Sequence, residues 1–201
     1  MVGKYILKMN KILRMNEINN SINTYTGKTI DLLNPDPNQI DTIDIAKGLT
    51  NQARFCGQLH TYYSVADHSL LVADLAVDYA RKNGLREEEI PVLQLYALLH
   101  DASEAYIKDI PRPLKVLLSD YLRIESYIMA AILEHFDITV SSLIKEIVKQ
   151  ADNEALEIEY DVFYQDGKDS RIVYRSLHNI YNFYYYRLER YIKEYKESKN
   201  V

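Results

Sequence analysis

Cysteine is almost absent from this chain, and its single copy, Cys56, excludes an intramolecular disulfide framework and a cysteine-rich zinc module. A lone cysteine is typical of proteins of a reducing cytosol. The N-terminal stretch MVGKYILKMNKILRMNEINN is basic, but Lys and Asn interrupt its apolar runs, so it has no signal-peptide core. No stretch approaches the roughly 20 apolar residues of a membrane span. We therefore expect a soluble, cytoplasmic protein that has no membrane partner.

Glycine and proline are also scarce, with six and five copies, and tryptophan is missing, whereas tyrosine occurs eighteen times. So few turn-forming residues indicate long regular elements, and we predict an all-α helical bundle with a small N-terminal β-hairpin. With 201 residues, 47% of them hydrophobic, the chain can build one sizeable core. We expect an N-terminal arm over 1–21 and a single domain over 22–201.

The chain also lacks a net positive charge, since its formal net charge is -5. The overall field therefore does not attract nucleic acid, and any phosphate-bearing ligand must be held by local cations. A small nucleotide fits this charge better than a nucleic-acid polymer does.

The hydrophobic pattern predicts the elements in turn. The segment INTYTGKTIDLLNPDP, 22–37, alternates polar and apolar residues around Thr26-Gly27-Lys28, as a hairpin would. Ser64 and Asp67 form a capping pair for a helix that Gly84 closes. Further helices are predicted over 41–49, 88–104 and 115–135, from about Ser141, and over 177–197.

Ionisable residues cluster in the segment LLHDASEAYIKDIPRPLK, 98–115, within an otherwise apolar helical context. On a helix, His100 and Glu104 are four residues apart and Asp101 and Glu104 three apart, so Glu104 shares a face with each of them. Side chains of this length could converge on one ion just beyond the helix surface. The segment is therefore predicted to be half of a metal site.

Two further candidate ligands come from helices elsewhere in the chain, one near the start of the preceding helix and one in the middle of a later amphipathic helix. The metal set that we predict contains two imidazoles and two carboxylates: His68, His100, Asp101 and Asp152. Mixed nitrogen and oxygen ligands suit Mn, Co, Fe, Ni or Zn better than Ca or Mg. We expect one divalent transition metal.

Such an ion would act as a Lewis acid on phosphorus and lower the pKa of an attacking water. Glu104 would orient or deprotonate that water, and Asp109 would deliver a proton to the leaving group or help to hold the water. Arg54, Arg112 and Lys115 are the cations expected to bind phosphate, Arg54 first because a guanidinium can donate two parallel hydrogen bonds.

Each of these residues also has a plainer interpretation. Taken alone, His68 is more often a capping or surface histidine, Asp152 a solvated helix carboxylate, and Arg54 the partner of an acid. The tyrosine run at 184–186 is expected to be a core and interface stripe, with an aromatic nucleotide platform as the alternative. The histidines expected to be structural or on the surface are His60, His135 and His178. Co-occurrence of the four candidate ligands favours the metal site.

The order His68, then His100-Asp101, then Asp152 resembles the H...HD...D signature of the HD-domain metal-dependent phosphohydrolases. RFCGQLHTYYSVADHSLLVADLA followed by LLHDASEAYIKDIPRPLK resembles the branch of bacterial 5′-deoxynucleotidases and small phage HD hydrolases, which includes a phage dATP triphosphohydrolase. The resemblance covers about 22–165. It implies an all-α HD fold, a divalent metal and hydrolysis of a phosphoester or phosphoanhydride in a nucleotide.

In that branch, an arginine upstream of the first histidine and two acids after the signature aspartate belong to the site. They correspond to Arg54, Glu104 and Asp109. The deoxynucleotidases carry a tryptophan after the arginine, whereas this chain has Phe55 there, so Phe55 is expected to contact the substrate in a different way. The hairpin region is closer to the phage-like hydrolases, which keeps triphosphate cleavage open.

The first functional hypothesis is a metal-dependent phosphohydrolase of (deoxy)nucleotides with water attack at the 5′-linked phosphorus. It would act as a 5′-deoxynucleotidase or as a dNTP triphosphohydrolase. The alternatives are an alarmone or cyclic-nucleotide hydrolase and a non-catalytic nucleotide-binding protein, which would have no need of proton-transfer groups such as Glu104 and Asp109. Members of the family often pair, and the tyrosine-rich last helix offers an apolar surface, so we expect a homodimer or a larger homo-oligomer.

Overall fold

A short antiparallel hairpin begins the part of the chain that the computed structural model describes, residues 20–199. Strand β1 (Ser21–Asn23) pairs with strand β2 (Thr29–Asp31). Gly27 lies in the turn between them with a φ of 84°, a left-handed conformation that glycine adopts without strain. The predicted hairpin is confirmed. The arm predicted over 1–21 lies, apart from its last two residues, outside the described residues.

Most of the remaining described chain is helical, as the scarcity of glycine and proline predicts. The α-helices in chain order are α1 (Thr42–Thr50), α2 (Val65–Lys82), α3 (Ile90–Leu99), α4 (Glu104–Ile107), α5 (Arg112–Lys115), α6 (Ser119–His135), α7 (Ser142–Tyr164) and α8 (Leu177–Ser198). The all-α fold class with a small N-terminal hairpin is confirmed. Across residues 20–199, no helix combines the length and the apolar character needed to cross a bilayer.

Helix α2 lies at the centre of the fold, between α3 and α7. Its predicted capping pair is present, because the Ser64 hydroxyl accepts a hydrogen bond from the Asp67 N–H and the Asp67 carboxylate accepts one from the Ser64 N–H. The helix ends at Lys82, and Gly84 follows with a φ of 67°. Since α2 is packed on several sides, His68 in its first turn is fully buried.

Tyrosines on one face of α8 pack into the core, as the helical spacing predicts. Tyr184, Tyr191 and Tyr195 are buried, and the Tyr184 hydroxyl donates to the Leu98 carbonyl at 3.0 Å. Tyr186, on another face, is 68% exposed. The run at 184–186 is therefore partly core and partly surface.

The single helix predicted over 88–104 is wrong, because α3 ends at Leu99 and a turn separates it from α4. Hydrogen bonds in this turn join residues three apart, from Ala102 N–H to Leu99 O and from Glu104 N–H to Asp101 O. This is the tighter 3₁₀ pattern. The physical reason is that the apolar run stops at Leu99, and the Asp and Ser residues that follow favour local turns over helix.

Candidate metal centre and its cleft

His68 is the deepest of the predicted ligands. Its Nδ1–H donates to Glu159 Oε1 at 2.7 Å, and since a carboxylate only accepts, the lone pair is left on Nε2. Nε2 is buried and has no hydrogen-bond partner among the described residues. It faces the Asp152 carboxylate, with Oδ1 3.2 Å away.

His100 follows α3 directly and is held in the same way by a different acceptor. Its Nδ1–H donates to the Ala97 carbonyl at 2.8 Å, which again leaves the lone pair on Nε2. Within the described part of the chain, this Nε2 is also buried without a hydrogen-bond partner. It lies 3.2 Å from Asp101 Oδ2 and 4.0 Å from Asp152 Oδ1. The unprotonated Nε2 atoms of the two imidazoles therefore both face the carboxylates of Asp101 and Asp152.

This donor set fits a metal ion. His68, His100 and Asp152 could hold one, since one ligand atom from each lies within 4.8 Å of the others. Ligand atoms roughly 2.1 Å from a transition metal stand roughly 3 Å apart, close to the separations found here. Asp101 Oδ2 lies 3.7 Å from His68 Nε2, at the edge of the group, and its place as the fourth ligand stays a prediction.

The charges of the group reinforce one another. Burial opposes ionisation of Asp101 and Asp152, but the two imidazoles outweigh it and hold the pKa of each carboxylate well below its usual range. Burial and Arg54 oppose protonation of His68, yet Glu159 and Asp152 prevail and its pKa is raised. The cluster attracts positive charge, which a divalent ion would supply.

The two predicted proton-transfer residues lie beside this group on the segment that follows it. Glu104 is 3% exposed, and its Oε2 has no partner among residues 20–199. Burial first, and then the charges of Asp101 and Asp109, raise the pKa of Glu104 to about 9. Burial also raises the pKa of Asp109, against the opposing charge of Arg54. Both carboxyls are therefore readier to carry a proton than the candidate ligands are.

A glutamine that the sequence did not single out fixes the spacing of these two residues. Gln52, just after α1, donates through Nε2 to the Glu104 carbonyl at 2.6 Å and accepts through Oε1 from the Asp109 N–H at 2.7 Å. Lys108, the residue before Asp109, has a φ of 78°, which is unusual for a residue with a side chain. The two hydrogen bonds of Gln52 stabilise the strained backbone at Lys108.

A cleft of about 440 Å³ opens beside the candidate ligands, a volume typical of small-molecule sites. Its lining includes both proton-transfer residues and the four residues predicted to bind substrate: Arg54, Phe55, Arg112 and Lys115. Lys149, which no sequence motif singles out, also lines it, and its Nζ lies 2.7 Å from Asp152 Oδ2. Asp109 also lines a neighbouring cavity of about 940 Å³.

The cations of the cleft differ in how they are held. Arg54 donates through Nε and Nη2 to one oxygen of Glu159, at 3.1 and 2.8 Å, as its plainer interpretation allowed. Lys115 lies 3.3 Å from Glu104 and 2.5 Å from Glu125, whereas Arg112 is exposed. Because Nε and Nη2 already donate to Glu159, Arg54 has fewer free N–H donors for a phosphate than the sequence suggested. Its role in binding substrate stays a prediction.

Glu159 is the other residue that sequence reasoning missed. It is fully buried on α7, seven residues and two turns beyond Asp152, so both side chains share one face of the helix. A signal was present, since an acid among the apolar Ala151, Ala155 and Ile158 must be paired. The histidines expected to be structural or on the surface, His60, His135 and His178, are exposed.

Comparison with known proteins gives a family match. Residues 65–156 match the HD-domain family. An uncharacterized Escherichia coli protein, YfdR, is 41% identical over 117 residues, which are 57% of this chain and 57% of that protein. An uncharacterized Rhodobacter capsulatus protein is 37% identical over 140 residues, 67% of this chain and 68% of that protein. The chain thus matches little more than half the length of the first relative. The HD match agrees with the group formed by His68, His100 and Asp152, which could hold a metal ion.

Proposed function

The chain belongs to the HD-domain family, and from that premise we propose that it hydrolyses (deoxy)nucleotides at the 5′-linked phosphorus. The enzyme would be either a 5′-deoxynucleotidase or a dNTP triphosphohydrolase. One observation carries the proposal: two buried imidazole nitrogens have no hydrogen-bond partner within residues 20–199, and they face two carboxylates that line a cleft together with cations. Such an arrangement calls for a bound cation and accommodates an anionic substrate.

His68, His100, Asp101 and Asp152 would hold the divalent ion. When bound, the ion supplies Lewis acidity toward a phosphoryl oxygen and lowers the pKa of water. The protein controls which lone pairs are available. The Nδ1 atoms of both histidines are engaged by Glu159 and by the Ala97 carbonyl, so only Nε2 faces the site.

Cations of the cleft would bind the phosphate oxygens. Arg112 is exposed, and Lys149 lines the cleft with its Nζ 2.7 Å from Asp152 Oδ2, so both can approach a phosphate bound beside Asp152. Arg54 can offer Nη1, which donates no hydrogen bond within residues 20–199, while Nε and Nη2 stay on Glu159. Lys115 Nζ lies 3.3 Å from Glu104 Oε1, and both side chains line the cleft.

Proton transfer is assigned to the two carboxyls next to the candidate ligands. Oε2 of Glu104, which has no hydrogen-bond partner in the described part of the chain, can accept a hydrogen bond from the attacking water and orient it. Asp109, whose pKa is raised by burial, can give a proton to the 5′ oxygen as the P–O5′ bond breaks. The water oxygen ends in the phosphate product, and the nucleoside leaves with its own 5′ oxygen.

The proposal is tested by incubating metal-stripped protein, reloaded with Mn²⁺ or Co²⁺, with deoxynucleoside mono- and triphosphates and separating the products by chromatography. Orthophosphate from monophosphates alone would identify a 5′-nucleotidase, and triphosphate from a dNTP would identify a triphosphohydrolase. A guanosine tetraphosphate and a cyclic nucleotide belong in the same panel. Turnover of those two alone, or of nothing, would overturn the proposal.

A further inference from the structure

We propose that Glu159 is a positioning residue that fixes the metal-facing tautomer of His68 and the phosphate-facing orientation of Arg54 at the same time. Its two carboxylate oxygens have different partners. Oε1 accepts from His68 Nδ1–H at 2.7 Å, and Oε2 accepts from Arg54 Nε–H and Nη2–H at 3.1 and 2.8 Å. Glu159 lies three residues beyond the segment that matches the HD family, and its side chain is fully buried.

On the His68 side, Glu159 decides which ring nitrogen is available. A carboxylate can only accept, so the proton must be on Nδ1 and the lone pair on Nε2, which points at Asp152 and Asp101. Histidine ligands are commonly oriented by such an acceptor on the opposite nitrogen. Loss of that acceptor typically costs about 10- to 100-fold in metal affinity.

On the Arg54 side, Glu159 selects which guanidinium nitrogens remain for substrate. With Nε and Nη2 engaged, Nη1 is the nitrogen left to reach into the cleft that Arg54 lines. Asp101 and Asp109 also attract the guanidinium, and the contact with Glu159 competes with that attraction. An untethered Arg54 would pair with those acids and mask a proton-transfer residue.

Only a carboxylate can serve both partners at once, because each partner is a donor. In a Glu159→Gln variant the amide oxygen can face Arg54, and the amide NH₂ then donates to His68 Nδ1 and moves the histidine proton to Nε2. If the oxygen faces His68 instead, the NH₂ meets the N–H groups of Arg54. In either orientation, the amide therefore fails either to fix the tautomer of His68 or to hold the guanidinium of Arg54.

Glu159→Asp keeps both acceptors and shortens the side chain by one methylene. It is therefore the matched control for the charge and chemistry of Glu159. Arg54→Gln removes the arginine and leaves the contact between Glu159 and His68 in place. It separates the phosphate-binding effect from the metal-binding effect.

The test is a calorimetric titration of metal-stripped wild type, Glu159→Gln, Glu159→Asp and Arg54→Gln, first with Mn²⁺ and then, at saturating Mn²⁺, with inorganic phosphate. We expect Glu159→Gln to lower Mn²⁺ affinity by about 10- to 100-fold and Glu159→Asp to fall between it and wild type. Arg54→Gln should weaken phosphate binding without weakening Mn²⁺ binding. Wild-type affinity for Mn²⁺ in Glu159→Gln, or equal losses in Glu159→Gln and Glu159→Asp, would overturn the inference.

A second measurement on the wild-type protein covers the case in which Glu159→Gln fails to fold. Nitrogen-15 NMR of the zinc-loaded protein reports the tautomer of His68. We expect a proton on Nδ1, and a proton on Nε2 would refute the tautomer assignment. The phosphate half of the inference rests on the proposed function, but neither experiment requires turnover. An enzyme that fails the nucleotide panel can still pass these tests, and an active enzyme can fail them.

Discussion

Two histidines define the candidate metal centre at the level of single residues, and each is oriented by a different acceptor. Glu159 holds the Nδ1–H of His68, and the Ala97 carbonyl holds that of His100. The backbone acceptor of His100 cannot be removed by mutation, whereas the side-chain acceptor of His68 can. His68 is therefore the ligand whose orientation is open to experimental change.

Removal of either imidazole should abolish metal binding at this site. We expect His68→Gln and His100→Gln to show no Mn²⁺ binding by calorimetry and no metal-dependent turnover, because each removes one nitrogen from the set. His178→Gln, a change at an exposed histidine of α8, is the matched control and should bind Mn²⁺ as wild type does. Retention of full Mn²⁺ affinity in either ligand variant would place the metal elsewhere.

Glu104 should reduce the stability of the metal-free protein while it serves the reaction. Its pKa is about 9 in the folded protein and about 4.3 in the unfolded chain. The free energy of unfolding is therefore unaffected by this group below about pH 4.3 and falls as the pH rises from there toward 9. Glutamine cannot ionise. Glu104→Gln should therefore melt at an increasingly higher temperature than wild type between pH 5 and pH 9, by a few degrees.

The same substitution should lower kcat by about 10²- to 10⁴-fold, since the carboxyl that orients the attacking water is lost. Thermal melts of metal-stripped protein across the pH range and steady-state kinetics of the reloaded protein check the two effects. A melting difference that does not change with pH would show that Glu104 is ionised normally in the fold.

The order and types of His68, His100 and Asp152 were sufficient to select the three residues that could hold a metal ion together, whereas Asp101 as a fourth ligand stays a prediction. It could not predict the partner of Arg54, because Glu159 is 105 residues away along the chain and only packing of α7 beside residue 54 brings them together. Gln52 could not be predicted either, because it binds the backbone of Glu104 and Asp109 and belongs to no recognisable motif.

Among the structural elements, the segment from Leu99 to Ile107 matters most for the site. The predicted continuous helix would have set side chains 100° apart, whereas the 3₁₀ hydrogen bonds tighten the turn toward three residues per turn. Asp101 and Glu104, three residues apart, then lie on the same side of the segment. Sequence periodicity could not locate this change, since the turn residues keep helical backbone angles, as His100 does at φ -58° and ψ -31°.

Gly48 sets how closely α1 approaches α4. A Cβ at this position would lie 2.5 Å from the Ala105 carbonyl oxygen, so any side chain must push the two helices apart. Alanine normally stabilises a helix interior relative to glycine by about 1 kcal/mol, so the sign of the effect is informative. We expect Gly48→Ala to destabilise the protein by about 1–3 kcal/mol and to lower turnover by displacing Glu104. Thermal melts and kinetics check this, and an unchanged or higher melting temperature would contradict the close approach.

For the whole molecule, the fold class followed from composition and periodicity, because long apolar-faced helices with few glycines leave little alternative to a helical bundle. How the helices pack did not follow. The position of α2 between α3 and α7, which buries His68, depends on contacts between segments far apart in the chain. The domain boundary at residue 22 remains a prediction.

We propose that the protein forms homodimers or larger homo-oligomers through the outer face of α8. Phe183 and Tyr186, three residues apart on this helix, are 53% and 68% exposed. Light scattering should give at least twice the mass of one chain. A Phe183→Ser, Tyr186→Ser double variant should shift the mass toward the monomer, and a wild-type monomer at all concentrations would refute the proposal.

The measurement that decides whether this site performs metal-dependent phosphohydrolysis is turnover of a deoxynucleotide in ¹⁸O-labelled water, with metal-stripped and Mn²⁺-reloaded protein side by side. We expect turnover only after reloading, with ¹⁸O in the released phosphate or triphosphate and none in the nucleoside. Label in the nucleoside would mean attack at carbon, and equal turnover in the stripped protein would mean that His68, His100, Asp101 and Asp152 do not serve the reaction through a metal.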